Sequence, residues 1–212
     1  MAYFSSWINE KQKGELEEAQ EKAIELAEMG SWSEAADARN EVFDLLRNMT
    51  GLATLFDSTK KVPYKTKLVT KLLQSMEVKQ ALGANESIVF DDCNKVVKAV
   101  LHGDVMKSVK HMVEFLLKES KVLLYQGHFD MKETAVSTEA WVKTMKWEGI
   151  ERFLMAERKV WKVIGELAGY VQKWGSLSHV VVLGAGHLVP ADQALNSQAM
   201  IEDWVLERGV FA

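Results

Sequence analysis

Apolar residues near the start of the chain recur at helical spacing. Leu16, Ala19, Ala23, Leu26 and Ala27 form one stripe within residues 9–30, a segment otherwise rich in the helix formers Glu, Lys, Gln and Ala. Gly30 ends that pattern, and Ser31 followed by Glu34 is a capping-box signature that opens a second helix through about Met49. Ala35, Ala38, Val42, Leu45 and Leu46 form its apolar face, so the two segments predict an antiparallel helical hairpin. Pro63-Tyr64 interrupts the chain. Shorter helices are predicted over Leu68–Leu73, Met76–Gly83, Val96–Leu101 and Met106–Leu117, with a break near His102-Gly103-Asp104.

The pattern changes at Val122. Val122-Leu123-Leu124-Tyr125 is a short continuous apolar run, as is Val180-Val181-Val182-Leu183, and both lead into glycine. Such runs fit strands buried on both faces of a parallel sheet. Between them, Thr138–Trp147 predicts a helix. Trp161–Val163 and Tyr170–Trp174, with Gly165 and Gly169, predict a β-hairpin. A last helix is expected over Ser197–Glu207, stopped by Gly209. Helices first and strand–helix–strand units second predict an α/β fold carrying a helical insertion. The expected division is a helical cap segment over 1–75 and an α/β core segment over 76–212.

Composition narrows the function classes. A 48% hydrophobic content suits a globular core, and a formal charge of −4 with interspersed signs recommends no nucleic-acid partner. No apolar run is long enough for a membrane span. Cys93 is the one cysteine, so no disulfide forms within the chain; a buried free thiol is the plain expectation, and pairing with a cysteine outside these residues is the alternative. The five histidines show no metal-ligand spacing, and neither a metal nor an organic cofactor is expected. Asn48-Met49-Thr50 and Asn85-Glu86-Ser87 are candidate N-glycosylation sequons, relevant if the chain is secreted. The first residues show neither a basic n-region nor an apolar h-region.

Two residues carry candidate chemistry because each follows a buried strand, where α/β sheets place ligands. Asp130 follows the first strand through Gly127-His128-Phe129, and His187 follows the second through Gly184-Ala185-Gly186. A general-base histidine needs a carboxylate to hold its tautomer. The order acid then histidine is that of α/β-hydrolases, in which a nucleophilic serine precedes both. Taken singly, an Asp after a strand is a common turn residue. His102, His111, His128 and His179 have no better claim to chemistry than a single His in a glycine-rich loop.

The segment Gly184-Ala185-Gly186-His187-Leu188-Val189-Pro190, with Asp192-Gln193, Met200 and Trp204 after it, resembles the histidine signature of serine carboxypeptidases, the S10-type peptidases. Val122 through Asp130 is similar to that family's catalytic-acid strand and turn, and Ala168-Gly169-Tyr170-Val171 to the hairpin preceding its histidine strand. Val78–Gly83, with Cys93 and Asp104-Val105-Met106, matches the segment before the acid strand. Ala2–Asn9 resembles an internal segment of the family.

The resemblance implies the C-terminal part of an α/β-hydrolase fold, with Asp130 and His187 as the acid and base of a Ser-Asp-His triad. It implies a peptide C-terminus or an acyl substrate, since plant relatives include acyltransferases, and a secreted or vacuolar setting. It also implies a loss: the family's nucleophile elbow and oxyanion glycines lie upstream, and no G-x-S-x-G occurs here. The chain is therefore expected to be inactive alone, its partner being the missing N-terminal portion, or to be a non-catalytic remnant. A sheet without its central strands should leave an apolar face or edge uncovered. Where relatives commonly carry a cysteine-containing pair after the acid, this chain has Lys132-Glu133-Thr134, placing a negative charge near the S1 side. Asn196-Ser197 likewise replaces the usual Pro- and Ala-containing spacing.

Overall fold

The two apolar runs fold as neighbouring parallel strands, and the sheet is built outward from them. The computed structural model describes residues Met1 to Ala212. In chain order the elements are α1 (Glu10–Glu28), α2 (Trp32–Thr50), α3 (Lys67–Gln74), α4 (Met76–Ala81), α5 (Lys95–Val100), a 3₁₀ turn (His102–Met106) and α6 (Lys110–Glu119). Then come β1 (Val122–Gly127), α7 (Ala135–Val142), α8 (Ile150–Met155), β2 (Arg158–Val163), β3 (Glu166–Trp174) and β4 (Leu177–Val182). α9 (Val189–Asp192), α10 (Ala194–Leu206) and a 3₁₀ turn (Gly209–Phe211) end the chain. The sheet order is β1-β4-β3-β2, with β1 parallel to β4 and the other pairs antiparallel.

Two compact units divide the chain. One comprises 1–16, 43–61 and 108–212, and the other 17–42 and 62–107.

In the first unit the sheet is covered on both faces, as the unbroken apolar strands require. Val180 and Val182 of β4 join Trp161, Val171, Val189, Met200 and Phe211 on one side, with Leu123 of β1 against them. Leu177 of β4, an odd number of residues from Val180 and so on the opposite face, joins Leu117, Val142, Met145, Trp147 and Phe153, with Val122 and Leu124 of β1. Every residue of β4 is buried. β1 lies at one edge of the sheet, whereas β4 is interior.

In the second unit Lys22 pairs with Glu41 at 3.5 Å and His102 with Asp37 at 2.9 Å. Lys79 is buried, its ammonium donating to the carbonyls of Ile88 and Glu86 at 2.6 and 3.1 Å. α3 contributes no buried residue.

Several sequence-based expectations shift. The helix expected over Met106–Leu117 starts later, at Lys110, because the 3₁₀ turn runs through Met106. The helix expected over Thr138–Trp147 starts earlier, because the Thr134 hydroxyl accepts from the Ser137 N–H at 3.0 Å and caps α7, and it ends at Val142. α8 was not anticipated. Gly169 lies inside β3 opposite Val182, and the hairpin turns at Ile164-Gly165. α10 begins at Ala194 and is closed by Glu207 at φ 52, before Gly209. Cys93 is exposed and not buried, because it sits in a turn where its N–H reaches Asp91 Oδ1 and the next residue, Asn94, caps α5. No helix is long and apolar enough to cross a membrane.

Two outcomes follow from these placements. Ile164 sits at φ 50 beside Gly165 at φ 82, a two-residue turn that disfavours a β-branched side chain, and its side chain is exposed. Ile164→Asn is expected to raise stability by about 1 kcal/mol in urea unfolding. His179 is buried in β4, with Nε2 at 2.7 Å from Gln126 Oε1. Burial, with the Arg158 guanidinium adding to it, pushes its imidazole from 6.5 down to about 4. The unfolded chain then binds a proton that the folded chain refuses, so stability falls as pH drops from 6.5 towards 4. The loss attributable to this group is about 3 kcal/mol across that window, and His179→Gln should flatten it in urea titrations at successive pH values.

Candidate active site

Parallel pairing puts the carboxyl ends of β1 and β4 side by side, with Gly127 opposite Val182. The two following loops extend the contact, since the His128 N–H donates to the Val182 carbonyl and the Phe129 N–H to the Ala185 carbonyl, both at 2.9 Å. That approach demands glycine at 127. A Cβ there would lie 2.0 Å from the Gly186 carbonyl oxygen and 2.5 Å from that of Ala185.

Asp130 and His187 meet above this junction. Asp130 Oδ2 lies 2.7 Å from His187 Nδ1. Its other oxygen, Oδ1, accepts from the backbone N–H groups of Lys132 at 2.8 Å and Glu133 at 3.1 Å. The carboxylate is buried, at 2% exposure, with both oxygens hydrogen-bonded, which is the condition for keeping a charge away from water. A carboxylate only accepts, so Nδ1 of His187 is the donor, and in the neutral ring Nε2 then carries the lone pair. The His187 side chain is 33% exposed, and Nε2 makes no hydrogen bond within the chain. Such an imidazole can take a proton at Nε2 while the carboxylate stabilises the resulting cation.

The other histidines are elsewhere. His179 is inside β4 on Gln126, His102 pairs with Asp37, and His128 is edge-on to the Phe129 ring. No group of three His, Cys, Asp or Glu side chains is arranged to hold a metal ion. Of the sequon residues, Asn48 is exposed within α2, and Asn85 is exposed in a turn where its Oδ1 accepts from the Ser87 N–H and hydroxyl.

Residues 54–60 are a component that sequence patterning missed. The Met131 N–H donates to the Leu55 carbonyl at 2.9 Å, and the Ser58 N–H to the Phe129 carbonyl at 3.0 Å, so this loop brackets the acid turn. The His187 N–H donates to the Phe56 carbonyl at 2.6 Å, and the two rings lie 4.8 Å apart at 31°. Lys132 Nζ stands 4.9 Å from the centre of the Phe56 ring. Lys60 bridges Asp192 at 3.0 Å and Asp57 at 3.5 Å, and the Asp192 hydrogen bond, foremost, holds its ammonium above the ordinary lysine range. Asp192 in turn accepts from the Gly186 N–H at 3.0 Å. The segment has no periodicity. Its one sequence trace is indirect, in the glycine at 186 that lets it approach.

Residues 4–207 match the profile of the serine carboxypeptidase family, Peptidase S10, and the chain belongs to that family. It is 53% identical over 210 residues to serine carboxypeptidase-like 50 of Arabidopsis thaliana, covering 99% of this chain and 47% of that protein. It is 29% identical to the probable serine carboxypeptidase CPVL of Homo sapiens, covering 95% of this chain and 44% of the relative. Among solved structures it resembles Kex1(delta)p, a prohormone-processing carboxypeptidase from Saccharomyces cerevisiae, with a TM-score of 0.75 at 22% identity. That match covers 97% of this chain and 50% of the other, and supports the α/β-hydrolase fold with its helical insertion. The chain thus spans about half the length of the relatives it matches.

Gly127→Ala tests the junction on which the pair depends. Forcing a methyl group against two carbonyls is expected to cost roughly 2–4 kcal/mol in chemical unfolding and to separate the Asp130 and His187 loops. Loss of the His187 Nδ1 proton signal in NMR spectra would report that separation.

Proposed function

We propose that Asp130 and His187 are the acid and general base of a serine-type carboxypeptidase site. The observation that carries this reading is the 2.7 Å contact between His187 Nδ1 and the buried Asp130 carboxylate, at the ends of adjacent parallel strands, in a chain of this family. In the reaction a serine hydroxyl gives its proton to His187 Nε2 as its oxygen attacks the C-terminal peptide bond. His187 then returns the proton to the departing amine, and Asp130 holds the ring throughout. Water, activated by the same nitrogen, hydrolyses the acyl-enzyme. The serine comes from a segment of the relatives' length that this chain does not match, because a nucleophile elbow, G-x-S-x-G, occurs nowhere in the 212 residues.

The test is active-site labelling by a fluorophosphonate probe. The purified 212-residue chain should not label. A fusion to the unmatched part of the Arabidopsis thaliana relative should label at one serine and release C-terminal residues from peptides. In that fusion, His187→Ala should lower turnover by about 10⁶ and Asp130→Asn by about 10⁴. Labelling of the short chain at a serine, abolished by His187→Ala, would mean that the nucleophile lies within these residues and would overturn the reading.

A further inference from the structure

Residues 54–60 bond to His187 and to the residues on either side of Asp130, yet the reaction assigns them no task. Phe56 makes two separate contacts with His187. Its carbonyl accepts from the His187 backbone N–H at 2.6 Å, and its ring lies 4.8 Å from the imidazole centre at 31°. The approach is tight, since a Cβ on Gly186 would lie 2.3 Å from the Phe56 carbonyl oxygen and 2.5 Å from Asp57 Cβ. The loop is tied on both sides: Ser58 and Leu55 bond to Phe129 and Met131 around the acid, and Lys60 reaches Asp192, which accepts from Gly186.

A hydrogen bond from Nδ1 fixes one edge of an imidazole but leaves the ring able to rock about that bond. A flat surface against its face removes that freedom, and aromatic pairs at this separation prefer such offset or tilted contact. We propose that Phe56 is a positioning residue for His187, its carbonyl anchoring the histidine backbone and its ring holding the imidazole plane so that Nδ1 stays on Asp130 and Nε2 faces outward. This inference rests on the reading of Asp130 and His187 as acid and base. Lys132, whose ammonium also lies against the Phe56 ring, holds that ring from a second direction.

The experiment is NMR of the purified chain with labelled histidine at one neutral pH. The wild type should show a slowly exchanging, low-field Nδ1 proton for His187 and a nitrogen pattern of the Nδ1–H tautomer. Asp130→Asn should abolish both. Phe56→Ala and Phe56→Leu should speed exchange of that proton by about tenfold and admit the other tautomer, while Phe56→Tyr restores the wild-type signals. Phe56→Leu keeps apolar volume without a planar face, so it tests the ring even if Phe56→Ala fails to fold. Wild-type exchange and tautomer in Phe56→Leu would overturn this inference alone, leaving the acid–base reading intact. Absence of the low-field proton from the wild type would overturn that reading and this inference with it.

Discussion

The parallel pairing of β1 with β4 is the constraint on which the site depends. The two strands are far apart in sequence, and a parallel connection requires a long crossover, here α7, α8 and the β2–β3 hairpin. Once paired in register from Val122 with Leu177 to Gly127 with Val182, they end level with each other. Two loops then emerge at the same height, and hydrogen bonds from His128 and Phe129 carry the ladder past the strands. A slip of one residue would exchange the faces of β4, moving Val180 and Val182 out of one core and Leu177 out of the other. Register, and therefore the meeting of Asp130 and His187, is enforced by apolar burial on both faces of the sheet.

Electrostatics sharpen what packing places. A carboxylate at 2% exposure is tolerable because two backbone N–H groups occupy Oδ1, which leaves Oδ2 for the imidazole. The same backbone contacts fix the orientation of the carboxyl group, so the plane in which it receives Nδ1 is set before the histidine arrives. Charges nearby are arranged as a separate set. Lys60 bridges the Asp57 and Asp192 carboxylates beside the Gly186 backbone, outside the acid–imidazole contact.

The strands and the first two helices are legible in the sequence because each rests on a pattern with a period, whereas Asp130 and His187 stand out only through the resemblance of their segments to serine carboxypeptidases. Val122–Tyr125 and Val180–Leu183 fit strands buried on both faces, and the glycines after them mark sharp turns. What escaped was non-periodic or decided by tertiary contact. Residues 54–60 carry no repeating pattern, and their hydrogen bonds go to residues 129, 131 and 187, which lie far along the chain. The start of α7 was misplaced because one hydroxyl, that of Thr134, chose the capping position. Cys93 was expected inside on residue type alone, but its turn is governed by Asp91 and Asn94.

The acid–histidine geometry is local in a way that bears on how such a site is assembled. Every contact described for the pair comes from residues within one compact unit: the acid turn, the histidine loop and residues 54–60. The histidine tautomer is set by a carboxylate this unit already buries, and the ring plane by an aromatic side chain it already presents. Under the proposed reading, a serine hydroxyl would meet an imidazole whose orientation costs nothing further to arrange. Preorganisation of this kind is what allows electrostatic stabilisation to act on the transition state without reorganisation during reaction. The carboxylate is buried and paired for reasons of folding, and that burial is the condition its proposed chemistry needs.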